Sequence, residues 1–153
     1  MAIDIIDVKI LDVLQKNARV SISELSKQVN LSLSAVSERL KKLESSDVIE
    51  QYTTIINPAA MNKDLSVLML VRLENSSRPT DILAFAERTE EILECHHITG
   101  EFDYALKIVT KNTSSLEALM TKIKGIEGVR HTSTNVILSS SKNNHSIAPM
   151  AEK

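Results

Sequence analysis

Residues 99–104, with the sequence TGEFDY, bring together polar groups of the two kinds that a small zwitterion requires. Gly100 lets backbone N–H groups approach a ligand closely, so that they can donate to its carboxylate. The neighbouring acidic side chains can accept from its ammonium group, and threonines on one face of a later strand can complete a polar ring. The candidate residues are Thr99, Gly100, Glu101, Asp103, Tyr104, Thr132 and Thr134. An ordinary hairpin turn has the same composition, so spacing alone leaves an amino-acid site and a plain turn as equal alternatives.

A second polar set lies on one face of a predicted helix. Short hydroxyl side chains near the start of this helix let its backbone approach base edges, and cations further along can neutralise phosphates. Both are contacts that a helix makes in the major groove of DNA. The residues are Ser32, Ser34, Ser37, Glu38, Arg39, Lys41 and Lys42. A solvated helix face has the same composition, and for Arg39, beside the apolar stripe, pairing with an acid competes with a phosphate contact.

Cys95, His96 and His97 are adjacent residues with metal-ligand chemistry. Neighbouring side chains of a strand point to opposite faces, which leaves only Cys95 and His97 on one side, and two ligands make a poor site. We therefore expect a core cysteine rather than a metal centre. The sequence has no credible catalytic triad, phosphate-binding glycine loop or zinc spacing, so we expect neither a cofactor nor enzymatic activity.

The second polar set belongs to a predicted helix-turn-helix at residues 21–44. Its first helix is predicted to begin with a capping box, in which Ser21 and Glu24 each accept from the other's backbone N–H. Asn30 is predicted to end it, since Asn tolerates the left-handed conformation that a sharp turn needs. Ser32 is the predicted N-cap of the second helix. The residues predicted to face the core are Ile22, Leu25, Val29, Leu31, Val36, Leu40 and Leu43.

A preceding helix is predicted from apolar residues that share one helical face. They are Ile3, Ile6, Ile10, Val13 and Leu14. Three helices within residues 1–48 make a complete small DNA-binding domain. Residues 1–60 hold seven Lys/Arg and eight Asp/Glu, so the basic patch is local and one copy should bind duplex DNA weakly. We therefore expect several copies to act together, with salt-sensitive affinity.

The composition is that of a folded protein: 153 residues, 42% apolar and 25% charged, with a formal net charge of −2. Two Tyr, two Phe and no Trp argue against stacking on single-stranded nucleic acid. The single cysteine excludes an intramolecular disulfide and fits a reducing compartment. No signal peptide and no run of 18 apolar residues is visible, so we expect a cytoplasmic protein with no membrane partner.

Past residue 48 the spacing of the apolar residues changes from that of a helix to that of an extended strand. A strand, a helix and a strand are then predicted to follow one another twice. The predicted elements are residues 65–73, 79–91, 92–99, 104–109, 115–124 and 129–138. This order predicts an α+β protein, in which a hinge strand joins the helix-turn-helix to a ferredoxin-like βαββαβ sandwich at 65–138. The first and third strands are predicted to be central because they are the most continuously apolar.

The segments around this sandwich are predicted from their turn and cap residues. Residues 49–56 are interpreted as a strand or hinge, within a link that covers residues 49–64. The second helix of the sandwich is predicted to start with a capping box of Ser114 and Glu117 and to stop at Gly125. Residues 139–153 have no periodicity and are predicted to form a mobile tail.

Four runs of residues together resemble the Lrp/AsnC family of feast/famine transcription regulators. They are Asp4-x-x-Asp7-x-x-Ile10-Leu11, ELSKQVNLS with SERLKKLE, IxxYTxxINP and ECHHITGEFDYALK, the last being similar to the leucine-responsive branch. The resemblance implies a winged-helix-like DNA-binding domain and dimers that pair through the ferredoxin-like domain and the hinge strand, assembling to tetramers or octamers. It also implies an amino-acid effector, such as leucine or methionine. The matching effector residues are Gly100, Glu101, Asp103, Tyr104, Thr132 and Thr134.

The chain departs from the family's pattern in its turns. Asn30 and Leu33 stand where many members have Gly and Pro, and Ser46-Asp47 replaces a frequent glycine-containing turn. Asn can adopt the same turn geometry, and Pro at a first helical position only pre-sets an angle. We therefore expect the fold to be kept.

Two other functions fit parts of the sequence. An architectural DNA-packing protein would need the helix-turn-helix but no effector. A few relatives of the family resemble tetrapyrrole decarboxylases, in which His96, His97 or His131 would matter, although so few His and Arg suit an acidic macrocycle poorly. A response to an amino acid distinguishes the first alternative, and visible absorption of a bound tetrapyrrole distinguishes the second.

Overall fold

The computed structural model describes residues 2–75 and 81–151. The chain divides into two compact units. The helical unit comprises Met1–Ile55 together with Asn143–Lys153, and the sheet unit comprises Ile56–Lys142. The first has the predicted three helices and the second the predicted four strands and two helices, so the predicted fold class is confirmed.

The helical unit contains α1 (Ile5–Lys16), α2 (Ile22–Val29) and α3 (Leu33–Ser45). A polar side chain satisfies the free backbone N–H groups at the start of each helix. Asp4 and Asp7 form a full capping box on α1. The Ser21 hydroxyl accepts from the N–H of Glu24, 3.1 Å away, but this pair forms only that half of the predicted capping box.

The core of the helical unit lies where the three helices meet. Its buried side chains are Ile10, Leu25, Val29, Val36 and Leu43. Leu40 packs against them, so the predicted apolar face of α3 is confirmed. The prediction for Ile22 is wrong, since it is 43% exposed. Ile22 is the first residue of α2, and its side chain is not among those that pack in this core.

The turn between α2 and α3 follows the predicted geometry. Asn30 has a left-handed backbone, with φ 55° and ψ 47°, and it ends α2. The N–H of Leu31 then donates to the carbonyl of Ser26 at 3.2 Å, which closes the helix end. The apolar side chain of Leu31 packs on the core. The direction of α3 is therefore fixed by local contacts.

The sheet unit contains one antiparallel sheet in the order β2-β3-β1-β4. Its elements are β1 (Leu65–Leu73), α4 (Ile82–Glu87), β2 (Ile92–His97), β3 (Tyr104–Thr110), α5 (Thr113–Lys124) and β4 (Val129–Val136), after a short 3-10 helix (Pro58–Met61). The first and third strands are central, as predicted. One face of the sheet packs on the helices, with Val67, Met69, Leu106 and Ile108 fully buried.

Several predicted boundaries in the sheet unit are wrong. The helix predicted at 79–91 is Ile82–Glu87, and residues 79 and 80 lie outside the described residues. The capping box of α5 uses Asn112 and Ser115 instead of Ser114 and Glu117, because the helix begins at Thr113 and Asn112 has extended backbone. The stop at Gly125 is confirmed.

The two segments without regular structure differ from their predictions. Residues 50–57 form neither helix nor strand, since a strand needs a partner strand and this segment pairs with none among the described residues. In the tail, the Gln15 amide donates to the carbonyl of Ile147 at 2.9 Å and accepts from its N–H at 2.8 Å. The tail therefore has a specific contact with α1, which its lack of periodicity did not predict.

Candidate functional site

The outer face of α3 presents most of the polar residues predicted to read DNA. Ser34, Glu38, Lys41 and Lys42 are exposed and Ser37 is half-buried. Neither lysine forms an ion pair with any residue that the structure describes, so both charges are available to phosphates. The Ser32 hydroxyl lies 3.1 Å from that of Ser34 and accepts from the N–H of Ala35 at 3.2 Å. Its first role is therefore to cap α3.

Arg39 points away from this face and toward the start of α1. Its guanidinium donates to Asp4 and to Asp7, in both cases at 2.7 Å. Asp7 is only 4% exposed, and Arg39 neutralises its buried carboxylate. The N–H of Asp7 and then the Arg39 guanidinium lower the pKa of Asp4, and the two carboxylates raise the pKa of Arg39.

Arg39 was expected either to pair with an acid or to contact a DNA phosphate, and the structure contains the pairing with acids. A contact of Arg39 with DNA stays a prediction, and it would compete with that pairing. The buried position of Asp7 was missed, because an acidic side chain ordinarily faces solvent. The spacing Asp4-x-x-Asp7 could have indicated a structural role for Asp7, since it is the spacing of a capping box at the start of a helix.

The loop between β2 and β3 contains four of the predicted effector residues, Thr99, Gly100, Glu101 and Asp103, and Tyr104 follows it as the first residue of β3. Gly100 has φ +116°, a conformation that side chains with a Cβ rarely adopt, and open space surrounds the position where a Cβ would be. The backbone here can therefore be approached closely. Thr99 and Glu101 are exposed, whereas Tyr104 is buried with its ring centroid 5.2 Å from that of His97.

Asp103 anchors this loop to β1. Its carboxylate accepts from the N–H of Leu73 at 2.7 Å, and its own N–H donates to the carbonyl of Val71 at 2.9 Å. Its carbonyl accepts from the N–H of Ile98 at 2.8 Å, which closes the hairpin. One oxygen of this loop carboxylate therefore caps the end of a central strand, so Asp103 also has a structural role.

Arg72 and His131 hold the rest of the loop over the ends of β1 and β4. Arg72 donates to the carbonyl of Glu101 at 2.8 Å and approaches the Glu101 carboxylate to 3.3 Å. The Phe102 and His131 rings stack with centroids 6.0 Å apart. Sequence reasoning missed both partners as neighbours of the loop, because only the pairing of the strands brings them there.

Thr132 and Thr134 lie on the helix-facing side of edge strand β4. They are opposite Val71 and Met69 of β1. Within the described parts of the chain, their hydroxyl oxygens are buried and have no hydrogen-bond partner. Since buried polar groups are normally satisfied, two neighbouring exceptions require an explanation. Tyr104 is also opposite Val71, so this face connects the loop hairpin with the two threonines.

Comparison with known proteins gives the family. The model of the Lrp/AsnC ligand binding domain matches residues 66–147, and that of a winged helix-turn-helix DNA-binding domain matches residues 3–50. The chain belongs to the Lrp/AsnC family. It is a DNA-binding transcription regulator of the Lrp/AsnC type, with the reading helix in the helical unit.

Three relatives illustrate how far this similarity extends. The leucine-responsive regulatory protein of Haemophilus influenzae is 36% identical, over 90% of this chain and 84% of its own. A transcriptional regulator of Neisseria meningitidis, solved with L-methionine, is 30% identical with a TM-score of 0.88, over 94% of this chain and 95% of that chain. A feast or famine regulatory protein of Mycobacterium tuberculosis, also complexed with L-methionine, is 32% identical with a TM-score of 0.89, over 97% and 100%.

The histidines and the cysteine of this Lrp/AsnC regulator have other surroundings than a metal site. His96 lies 3.2 Å from Glu94, whose pKa is lowered by the hydrogen bond from Lys107. Burial raises the pKa of the Cys95 thiol. No group of three or more ligand residues suited to a metal occurs among residues 2–75 and 81–151. Across the same residues, no helix has the length and apolar character needed to cross a membrane.

Proposed function

We propose that this protein regulates transcription in the cytoplasm in response to an amino acid that binds between dimers. The observation that carries the effector proposal is the pair of buried, unpartnered hydroxyls of Thr132 and Thr134. They lie on the same sheet as the open Gly100 loop, and a ligand bound there would satisfy them. An architectural DNA-packing protein without an effector would not require this pair of threonine hydroxyls.

For DNA binding we propose that α3 enters the major groove of duplex DNA. Ser34 and Ser37 would lie near base edges, with Lys41 and Lys42 on phosphates. Because residues 1–60 hold seven Lys/Arg against eight Asp/Glu, at least a dimer would be required, with two reading helices about 34 Å apart on a near-palindromic site. Higher assembly to a tetramer or octamer would add further contacts.

The DNA proposal is tested by comparing two kinds of substitution on α3. Lys41→Ala or Lys42→Ala should weaken binding to all sequences alike and reduce the slope of log affinity against log salt by about one. Ser34→Ala or Ser37→Ala should alter sequence preference more than overall affinity. Titrations at several salt concentrations, on a selected site and on random DNA, measure both effects. Lysine variants that changed only base preference would show that the roles are wrongly assigned.

For the effector we propose that Gly100 offers backbone donors to the carboxylate and that Asp103 faces the ammonium group. Thr99, Glu101 and Tyr104 would complete the loop side of the site, and the two threonines the strand side. One acidic hairpin cannot enclose a zwitterion, so a neighbouring dimer would supply the missing wall. Ligand binding would then shift assembly, since it favours the state in which both walls are present. Two relatives are complexed with L-methionine, which supports an amino acid as the class of ligand.

The effector proposal is tested by a thermal-shift screen of the twenty amino acids, followed by light scattering with each active ligand. Asp103→Asn should abolish the ligand-induced change in assembly, because it removes the charge and keeps an oxygen for the Leu73 N–H. Asp103→Ala would also lose that bond, so it serves to separate folding from sensing. A response of Asp103→Asn equal to that of the parent protein would remove Asp103 from the site. No response of the parent to any amino acid would favour the architectural alternative.

A further inference from the structure

An open cavity of about 290 Å³ lies beside the C-terminal end of α5, in the sheet unit. It is lined by Lys124, Val129, Arg130, His131 and Thr132. The volume is of the order of a small metabolite site, and it is too small for a segment of folded protein. Its lining contains two permanent cations and no acidic residue. The cavity is therefore suited to a small anionic group.

The two cations of this cavity, Lys124 and Arg130, form no ion pair among residues 2–75 and 81–151. Lys124 ends α5, where a cation is favourable because of the helix dipole. Lys122 lies in the same last turn but lines a different cavity. The helix dipole therefore explains why a cation occurs in this turn. It does not explain why Lys124 and Arg130 both line the same cavity.

The cavity adjoins both parts of the proposed effector site. Thr132 lines it and carries one of the two unpartnered hydroxyls. His131 lines it from the same strand, and its ring stacks on Phe102 of the Gly100 loop. In the function proposed above, the loop takes the carboxylate and the ammonium group that all amino acids share. A cationic cavity next to it then remains for the side chain.

We propose that Lys124 and Arg130 bind an anionic side-chain group of the effector, which would make an amino acid with a side-chain carboxylate the preferred ligand. This inference rests on the proposed effector site and concerns its specificity. The charge of the side chain would decide affinity, because unpaired cations facing a neutral side chain gain nothing and lose hydration. A duplex phosphate is the less suitable occupant, since tight DNA binding uses many phosphate contacts along an extended surface rather than one cavity.

The test compares acidic amino acids with their uncharged amides on the full-length protein. Isothermal titration calorimetry with L-glutamate and L-glutamine, and with L-aspartate and L-asparagine, should show at least tenfold tighter binding of one acid than of its amide. Lys124→Gln and Arg130→Gln should each weaken binding of that acid about threefold to tenfold and leave binding of the amide unchanged. Lys122→Gln is the matched control, since it removes a cation from the same helix end but not from this cavity, and it should change neither affinity.

Four outcomes would overturn the inference in distinguishable ways. Tight binding of L-methionine or L-leucine without binding of either acid would refute the anionic side chain and leave the proposed function standing. An equal effect of Lys122→Gln would mean that only the overall charge matters. Loss of DNA affinity without ligand in Lys124→Gln and Arg130→Gln, with unchanged ligand binding, would assign the two cations to phosphates. If none of the twenty amino acids bound, the proposed function would fail as well, and this specificity with it.

Discussion

The two units of the molecule satisfy their polar groups in different ways. In the helical unit the capping side chains Asp4, Ser21 and Ser32 bond backbone groups two or three residues away, and the outer face of α3 is left for DNA. In the sheet unit Asp103 bonds Leu73, thirty residues distant in the chain, while the hydroxyls of Thr132 and Thr134 have no partner among the residues that the structure describes. Apart from Ser32 and Arg39, the structural side chains of the first unit are thus separate from those proposed to read DNA. In the second, the residues that hold the loop are also the candidates for ligand binding.

The largest expected effects come from emptying the two cores. Leu106→Ala in the sheet unit and Leu43→Ala in the helical unit each remove a fully buried side chain, which costs about 2–5 kcal/mol. Because the two cores are separate clusters, hydrogen exchange should accelerate in the unit that carries the substitution and stay unchanged in the other. Leu33→Ala, at a position that is 55% exposed, is the control and should change little. Equal acceleration of hydrogen exchange in both units would show that the two cores do not unfold independently.

An intermediate effect is expected from the ion cluster of the helical unit. Arg39→Gln should lower the free energy of unfolding by about 1–3 kcal/mol at pH 7, because it leaves the buried Asp7 carboxylate without its cation. The pKa of Asp4 lies below its ordinary value of 3.8, so its contribution is present above that pH and is lost as the pH falls. Urea unfolding at pH 7 and pH 3 should therefore show a smaller acid-induced loss in Arg39→Gln than in the parent. An unchanged loss would mean that the cluster does not couple to folding.

The smallest change in stability is expected at Thr132 and Thr134. Thr132→Val or Thr134→Val replaces a buried hydroxyl that has no partner, so stability should stay within about 0.5 kcal/mol of the parent or rise. Thr110→Val is the matched control: Thr110 is also buried, but its hydroxyl donates to the carbonyl of Asn112 at 3.3 Å, and its loss should cost about 1 kcal/mol. Thermal unfolding measures the stability, and the ligand-induced change in assembly should disappear only in the first two variants. Destabilisation as large as that of Thr110→Val would show that those hydroxyls are already satisfied.

The parts of the fold that could be predicted are those set by neighbours in sequence. Ser32 caps α3 and Asn30 turns left-handed because both effects act within three residues. The strand order also followed from the apolar pattern, since the two most continuously apolar strands are those buried between neighbours. The capping box of α5 was misplaced by two residues, because Asn112, Ser114 and Ser115 are all acceptable in such a motif.

The site was predictable in its residue types but not in its contacts. Asp103 and Glu101 stood out as acids beside a glycine, yet their bonds to Leu73 and Arg72 depend on how β1 and β3 pair. The position of Arg39 beside the apolar stripe suggested an acidic partner, but only the packing of α1 on α3 identified Asp7. Local sequence rules contain no information on contacts of this range.

The double hydrogen bond between Gln15 and Ile147 has a topological consequence. The helical unit is assembled from both ends of the chain, so the polypeptide crosses from one unit to the other twice, once after residue 55 and again after residue 142. A protease that cuts only in residues 50–57 would leave the three helices attached to the rest of the chain by noncovalent contacts alone. Two solvent-exposed hydrogen bonds, each contributing about 1 kcal/mol, would not retain such a fragment through gel filtration. A single cut therefore releases the three helices, and residues 143–153 stay behind, covalently joined to the sheet unit.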